Sequence, residues 1–244
     1  MIEALPKGGG GVRRLGEELG MAPTTVHRTL LRLAELRLVE WDEDAESYIL
    51  GVEFLRLARR ALDYHPLEVV GLPEMRLLVD DARETAVLST YDSTRRQLLF
   101  VAVVESQQPL RYVINLHSWV PLHAGASGLV VMAHLPKAEQ EDIIADGLST
   151  VTGNTIVDPD SLRSELERIR DKGYAITVGQ RIDGAVGIAA PIWDSAGRVF
   201  GSLALTIPEY RLKPDAQSTL AAKVVTAAKR ISRARSDNAR SDKQ

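Results

Sequence analysis

The chain contains no cysteine. Disulfides, thiolate zinc sites, iron–sulfur clusters and cysteine nucleophiles are thereby excluded together. No apolar run approaches the length of a membrane span, and the opening MIEALPKGGGG lacks the apolar stretch of a signal peptide. The sequence therefore reads as a soluble, cytoplasmic protein. Aromatic residues are scarce at 5%, yet hydrophobic residues reach 45% and charged residues 26% of the 244. That is ordinary globular composition, too apolar for a disordered chain. The length suits one large or two unequal domains with a core that needs no staples.

An excess of positive charge is missing too: the net charge is −3. Taken alone, this gives no hint of a nucleic-acid partner. The distribution is uneven, however. Residues 229–244 hold six Lys/Arg against two acids, leaving 24 bases against 31 acids in the rest. A DNA-binding role must then rest on local arrangement.

Hydrophobic periodicity divides the chain. Helices are expected over 12–19, ended by Gly20, and over 23–36, opened by Pro23 in the first turn. Residues 38–41 and 47–50 flank the acidic turn 42–46 as a β-hairpin would. A further helix over 52–62 carries Leu55, Ala58 and Leu62 on one side, and His65-Pro66 closes it. Beyond lie an amphipathic stretch 69–81, β-like runs at 85–91, 97–105 and 110–114, and helices at 125–134 and 137–147. Asp158-Pro159 supplies an N-cap and first helical residue, and Gly173 ends that helix. Strands are expected at 174–178, 185–193 and 199–207, and a last helix over 214–234 before a frayed polar tail. The expected domains are 1–51, a linker helix 52–65, a second domain 66–234 and the tail 235–244. The fold class is α+β.

Two short helices joined by Gly20-Met21-Ala22-Pro23 and followed by a hairpin describe a winged helix-turn-helix. On the second helix Val26, Leu30 and Leu33 share one side, with Thr25, Arg28, Thr29 and Arg32 opposite. A recognition helix needs that division, one face for its own domain and one for base edges and phosphates. The Arg28 fork matches the O6 and N7 acceptors of guanine. Arg32 suits phosphate, and Thr24 and Thr25 suit phosphate or a thymine methyl group. His27 is expected nearer the apolar side. Any surface helix shows Arg outside and Leu inside, so the order of elements carries the reading more than the helix does. The acidic tip Asp42-Glu43-Asp44-Ala45-Glu46 runs against it, because phosphate repels such a wing. The tip is expected to stay off the DNA backbone or to meet another protein surface.

Catalytic motifs fail on inspection. Gly125-Ala126-Ser127-Gly128 lacks the final glycine of a nucleophile elbow, which is Leu129 here, and nothing in the spacing of His123 and Asp158 makes them triad partners. Gly8 to Gly11 lacks the Lys-Ser/Thr of a phosphate loop. His117, His123 and His134 are not spaced as a helical metal pair. With His65 they read as structural or surface residues, and no cofactor or metal is expected.

The run LGEELGMAPTTVHRTLLRL at 15–33 with YILG at 48–51 resembles the DNA-binding domain of the IclR family of bacterial regulators. ETAVLS at 84–89, PLHAGASG at 121–128, IRDKGYA at 169–175 and GAVGIAAPI at 184–192 resemble its second domain. The resemblance spans nearly the whole chain. It implies a winged helix-turn-helix joined by a linker helix to a GAF/profilin-like effector domain with an antiparallel sheet. It further implies homodimers or dimers of dimers on palindromic double-stranded operators, responding to small carboxylate or aromatic acids. Carried over by position, the effector pocket takes Tyr112 and Val120 as walls and Ala126 and Ser127 at a helix start. Thr177, Gly187, Ala204 and Thr206 complete it from three later strands. Backbone N–H groups at Ala126 to Gly128 are expected to favour an anion there. The sequence departs from the family in its short first helix, in Gln180 where Glu is frequent, and in Gly187 and Ala204 where some relatives have Cys and Ser. The competing reading is a stand-alone small-molecule binding or hydrolytic domain whose helical front end only dimerises.

Overall fold

The computed structural model describes residues 1–5, 10–63 and 66–241. Gly8, Gly9 and the helix break at His65 lie outside them. The chain forms two compact units, 1–65 and 66–244.

In the first unit α1 (Val12–Leu19) ends on Gly20, whose left-handed backbone (φ 62°) turns the chain into α2 (Pro23–Glu35). The turn is tight. A Cβ on Gly16 would lie 2.9 Å from the Met21 carbonyl oxygen, so α1 needs its glycine at that contact. Leu15, Val26, Leu30, Val39 and Tyr48 form a small buried core. Strands β1 (Val39–Asp42) and β2 (Ser47–Leu50) pair antiparallel as the wing, and Gly10 forms an isolated bridge to Tyr48. Helix α3 (Val52–Asp63) follows. Its first N–H, on Val52, donates to the Glu40 carboxylate at 3.0 Å.

The second unit opens with α4 (Pro66–Ala82) and builds a six-stranded sheet. Its strands are β3 (Thr85–Asp92), β4 (Gln97–Val104), β5 (Trp119–Pro121), β6 (Ala175–Val178), β7 (Ala185–Trp193) and β8 (Val199–Pro208). Their order is β5-β4-β3-β8-β7-β6, every neighbour antiparallel. Period-two alternation sends Leu203, Leu205 and Ile207 to one face and Ala204 and Thr206 to the other. The first face packs on α4 and the C-terminal helix α8 (Gln217–Ser241), through Met75, Leu78, Val224 and Ile231. The second packs on α5 (Ala126–Met132) and α7 (Pro159–Lys172), through Leu129, Met132, Leu166 and Ile169. Helix α6 (Lys137–Ala145) adds Ile143 and Ile144 to that layer. The Asp158 carboxylate accepts from the Ser161 N–H at 2.8 Å and caps α7, which holds its carboxyl below the usual carboxylate range.

Two expectations are corrected. Residues 110–114 carry the β-favouring Tyr112, Val113 and Ile114 but form no strand. The edge beside β4 is taken instead by β5, with Leu98 opposite Val120. The freed segment is tied down by side chains: the Tyr112 hydroxyl donates to the Asp183 carbonyl at 3.0 Å, and Arg111 pairs with Glu105 at 2.8 Å. The last helix also does not stop near residue 234 but continues to Ser241. Ser236 bonds back to the Ser232 carbonyl at 2.9 Å, so this polar stretch remains helical.

Candidate functional site

Two places in the fold gather the residues singled out by sequence. The first is the outer face of α2. Val26 and Leu30 are buried, while Thr24, Arg28 and Arg32 are exposed. Neither Arg28 nor Arg32 has a hydrogen-bond or ion-pair partner among the described residues, so both forks are free to meet a ligand. Thr25 and Thr29 are only half exposed, and the Thr29 hydroxyl donates to the Thr25 carbonyl at 2.8 Å. That places them at the flank of the face. His27, expected near the apolar side, is exposed on the same stripe as Thr24 and Arg28. The physical reason is that the buried stripe is narrow, confined to Val26 and Leu30 in this half of the helix.

The wing explains part of its own acidity. The Asp42 carboxylate accepts from the N–H groups of Asp44 (3.0 Å) and Ala45 (3.1 Å), fastening the hairpin turn. Glu40 starts α3, as described. Glu43, Asp44 and Glu46 remain exposed and carry the tip's charge.

The second place lies where α5 and the β6–β7 turn meet the sheet. The cross-strand row Thr177–Gly187–Thr206 sits on adjacent strands β6, β7 and β8. Ala204, two residues before Thr206, shares its face. These four, with Ala126 and Ser127, line an inner cavity of about 50 Å³. Gly187 keeps it open: a Cβ there would lie 3.0 Å from Ala126 Cβ and 3.2 Å from Thr177 Oγ1. Tyr112 and Val120 lie apart from that group and line an adjoining outer cavity of about 390 Å³. Phe100, Ile114, Arg181 and Ile182 belong to both linings.

Arg181 was not anticipated. It is the sole charged residue in either lining among the described residues. Its guanidinium lies 4.6 Å from the centroid of the Phe100 ring, and among the described residues it has no hydrogen-bond or ion-pair partner. Burial pushes it down to about 10, still charged at neutral pH. The stem packs on Gly125, where a Cβ would come within 3.0 Å of Arg181 Cβ, and Gly125 has φ 85°. The neighbouring Gln180 also has its amide oxygen buried without a donor. An arginine in a turn ordinarily reads as a solvated surface charge, so only the fold reveals this one.

The groups considered for catalysis are otherwise engaged. His123 is buried with its ring Nε2 2.8 Å from the Ser149 carbonyl oxygen, and Asp158 caps α7. His134 bonds the Val130 carbonyl at 2.7 Å, stacks edge-on against Trp193, and is held by burial below its ordinary value. Among the described residues no group of three His, Asp or Glu could hold a metal ion, and no helix is long and apolar enough to cross a membrane.

Comparison with known proteins follows the same division. The profile of the IclR helix-turn-helix domain matches residues 2–43, and that of the bacterial transcriptional regulator IclR C-terminal domain matches 59–233. The glycerol operon regulatory protein of Streptomyces coelicolor is 33% identical over 233 residues, 92% of this chain and 90% of its own. The acetate operon repressor of Salmonella typhimurium is 25% identical over 241 residues, 95% of this chain and 85% of its own. An IclR regulator from Silicibacter sp. TM1040 superposes with a TM-score of 0.85 at 29% identity, covering 92% of this chain and 89% of that one. An IclR homologue from Microbacterium hydrocarbonoxydans, solved with 4-hydroxybenzoate, gives 0.78 at 24%, covering 93% and 91%. Its winged N-terminal unit, its curled antiparallel sheet and these matches along almost the whole length make the chain a member of the IclR family of bacterial transcriptional regulators.

Proposed function

We propose that this regulator works in the cytoplasm as a homodimer or dimer of dimers. It reads a palindromic operator through α2 and alters that grip when a small organic acid enters the second unit. It acts by binding and not by catalysis. One observation carries the ligand half of the reading: the half-buried Arg181, unpaired among the described residues. A partly desolvated cation without a counter-charge is costly, and an anionic ligand compensates it. The hydroxyls of Ser127, Thr177 and Thr206 offer further hydrogen bonds beside it. The relative bound to 4-hydroxybenzoate supports a carboxylate as the ligand class. For the DNA half, the support is the solvent-facing Thr24, Arg28 and Arg32, with Thr25 at their edge. Self-association is supported by apolar residues left open on the first unit, Leu36, Val52 and Leu55, each more than 60% exposed.

The test is fluorescence anisotropy on duplexes from the region upstream of the protein's own gene, with and without a panel of organic acids. Specific binding whose midpoint shifts with at least one acid is expected. Turnover of an acid with no specific DNA binding would favour the competing enzymatic reading.

The wing tip takes no part in phosphate contact on this account. Glu43→Gln, Asp44→Asn and Glu46→Asn together should leave operator affinity and its salt slope unchanged, Asp42 being kept because it holds the turn. A clear gain in affinity would place the tip against the backbone.

A further inference from the structure

The inner and outer cavities differ in what they can hold. At about 50 Å³ the inner one takes a few water-sized groups, whereas the outer one, at about 390 Å³, lies in the range of small-molecule sites. The wall between them is Phe100, Ile114, Ile182 and Arg181, with the guanidinium laid over the Phe100 ring. The outer chamber sets Trp119, Val120, Pro121 and Val151 beside the polar Tyr112, Asn115 and Ser118, and among the described residues it has no charge besides Arg181.

We propose that Arg181 is the specificity-determining residue of the effector site: it holds the carboxylate at the partition, so that the body of the acid lies in the outer chamber beside Trp119. The effector is then a monocarboxylic acid with a flat or branched apolar body, too large for the inner cavity. The inner hydroxyls and the Gln180 amide serve the far side of the carboxylate, directly or through water. This rests on the acid-binding reading above and adds where the acid lies and which residue selects it.

Three features support the arrangement. Arg181 is already partly desolvated before any ligand arrives, so an anion meets a cation with less water left to strip. Gly125 leaves the room that the arginine stem occupies, since any side chain there would displace it. The Phe100 ring offers the guanidinium a weak partner that a carboxylate readily outcompetes.

The experiment titrates the full chain with benzoate, 4-hydroxybenzoate and acetate, each beside its amide. It reads melting temperature and Trp119 fluorescence, with Trp119→Phe as the control that assigns the signal. The aromatic acids should raise the melting temperature and shift Trp119 emission, more strongly than acetate and at least tenfold more strongly than the amides. Arg181→Gln should reduce acid affinity tenfold or more and erase the preference over amides, and Arg181→Lys should restore part of it. Arg181→Gln removes a half-buried charge that has no ion-pair partner among the described residues, so its own melting temperature should not fall. If acids bind while Trp119 emission stays fixed and Arg181→Gln binds them normally, the acid lies elsewhere and this inference fails while the acid-binding reading stands. If none of the acids changes either signal, both fail.

Discussion

Arg28→Ala is expected to weaken operator binding by about 1–3 kcal/mol per half-site and to relax base preference at one position of each. Two half-sites engaged by a symmetric dimer would double that loss. Arg28 lies in the middle of the exposed stripe of α2, one turn on from Thr24 and one turn before Arg32, with its fork unpaired among the described residues. A bidentate contact to guanine carries sequence information, whereas a phosphate contact does not. Arg32→Ala should therefore weaken all duplexes alike and flatten the salt dependence by about one unit of slope per contact. Anisotropy titrations against cognate and single-base-substituted duplexes, at two salt concentrations, separate the two effects. Equal binding of wild type and Arg28→Ala to the cognate site would remove Arg28 from the reading face.

Gly201→Ala is expected to be among the most destabilising single changes in the chain. Gly201 lies on β8 between β3 and β7, opposite Thr90 and Ile192. A Cβ there would lie 2.0 Å from the Ser89 carbonyl oxygen and 2.9 Å from its carbon, backbone that cannot swing aside. Both neighbouring strands are irregular at this level, with register shifts at Leu88/Ser89 and at Ile192/Trp193. The Ser89 and Ser202 hydroxyls meet at 2.7 Å beside it, wholly buried. Relief needs movement of a central strand and loss of that polar pair, so a cost of about 4 kcal/mol or more is expected. Urea unfolding of the second unit reads it. Gly153→Ala, with open space around its Cβ, is the neutral control. A Gly201→Ala midpoint within error of wild type would show that β3 and β8 are farther apart than described.

Much of this architecture was legible because its signals are local. Gly20 and Gly173 stop helices, Pro23 and Asp158 start them, and 185–193 is a strand from end to end. The cavity residues on β7 and β8 could be carried over because strand register keeps Gly187 beside Thr206. What was not legible depends on distant packing. Residues 110–114 carry β-favouring side chains, but pairing is decided by which segment reaches the β4 edge, and Trp119–Pro121 does. His27 was misplaced because periodicity gives a direction on a helix and not the width of the buried stripe. Arg181 gave no signal at all. Its partial burial comes from Gly125 and Phe100, far away in sequence, and one arginine in a polar turn has no pattern. The acid-rich wing, which argued against DNA by its charge, proves partly structural through Asp42 and Glu40.

The most direct test of the account is selection of bound duplexes from a randomised library by the full chain, at a salt concentration that removes non-specific binding. The account predicts enrichment of an inverted repeat by the wild type, with one position of each half-site lost in the pool selected by Arg28→Ala. A pool that remains random, or the same repeat selected equally by both proteins, would contradict it.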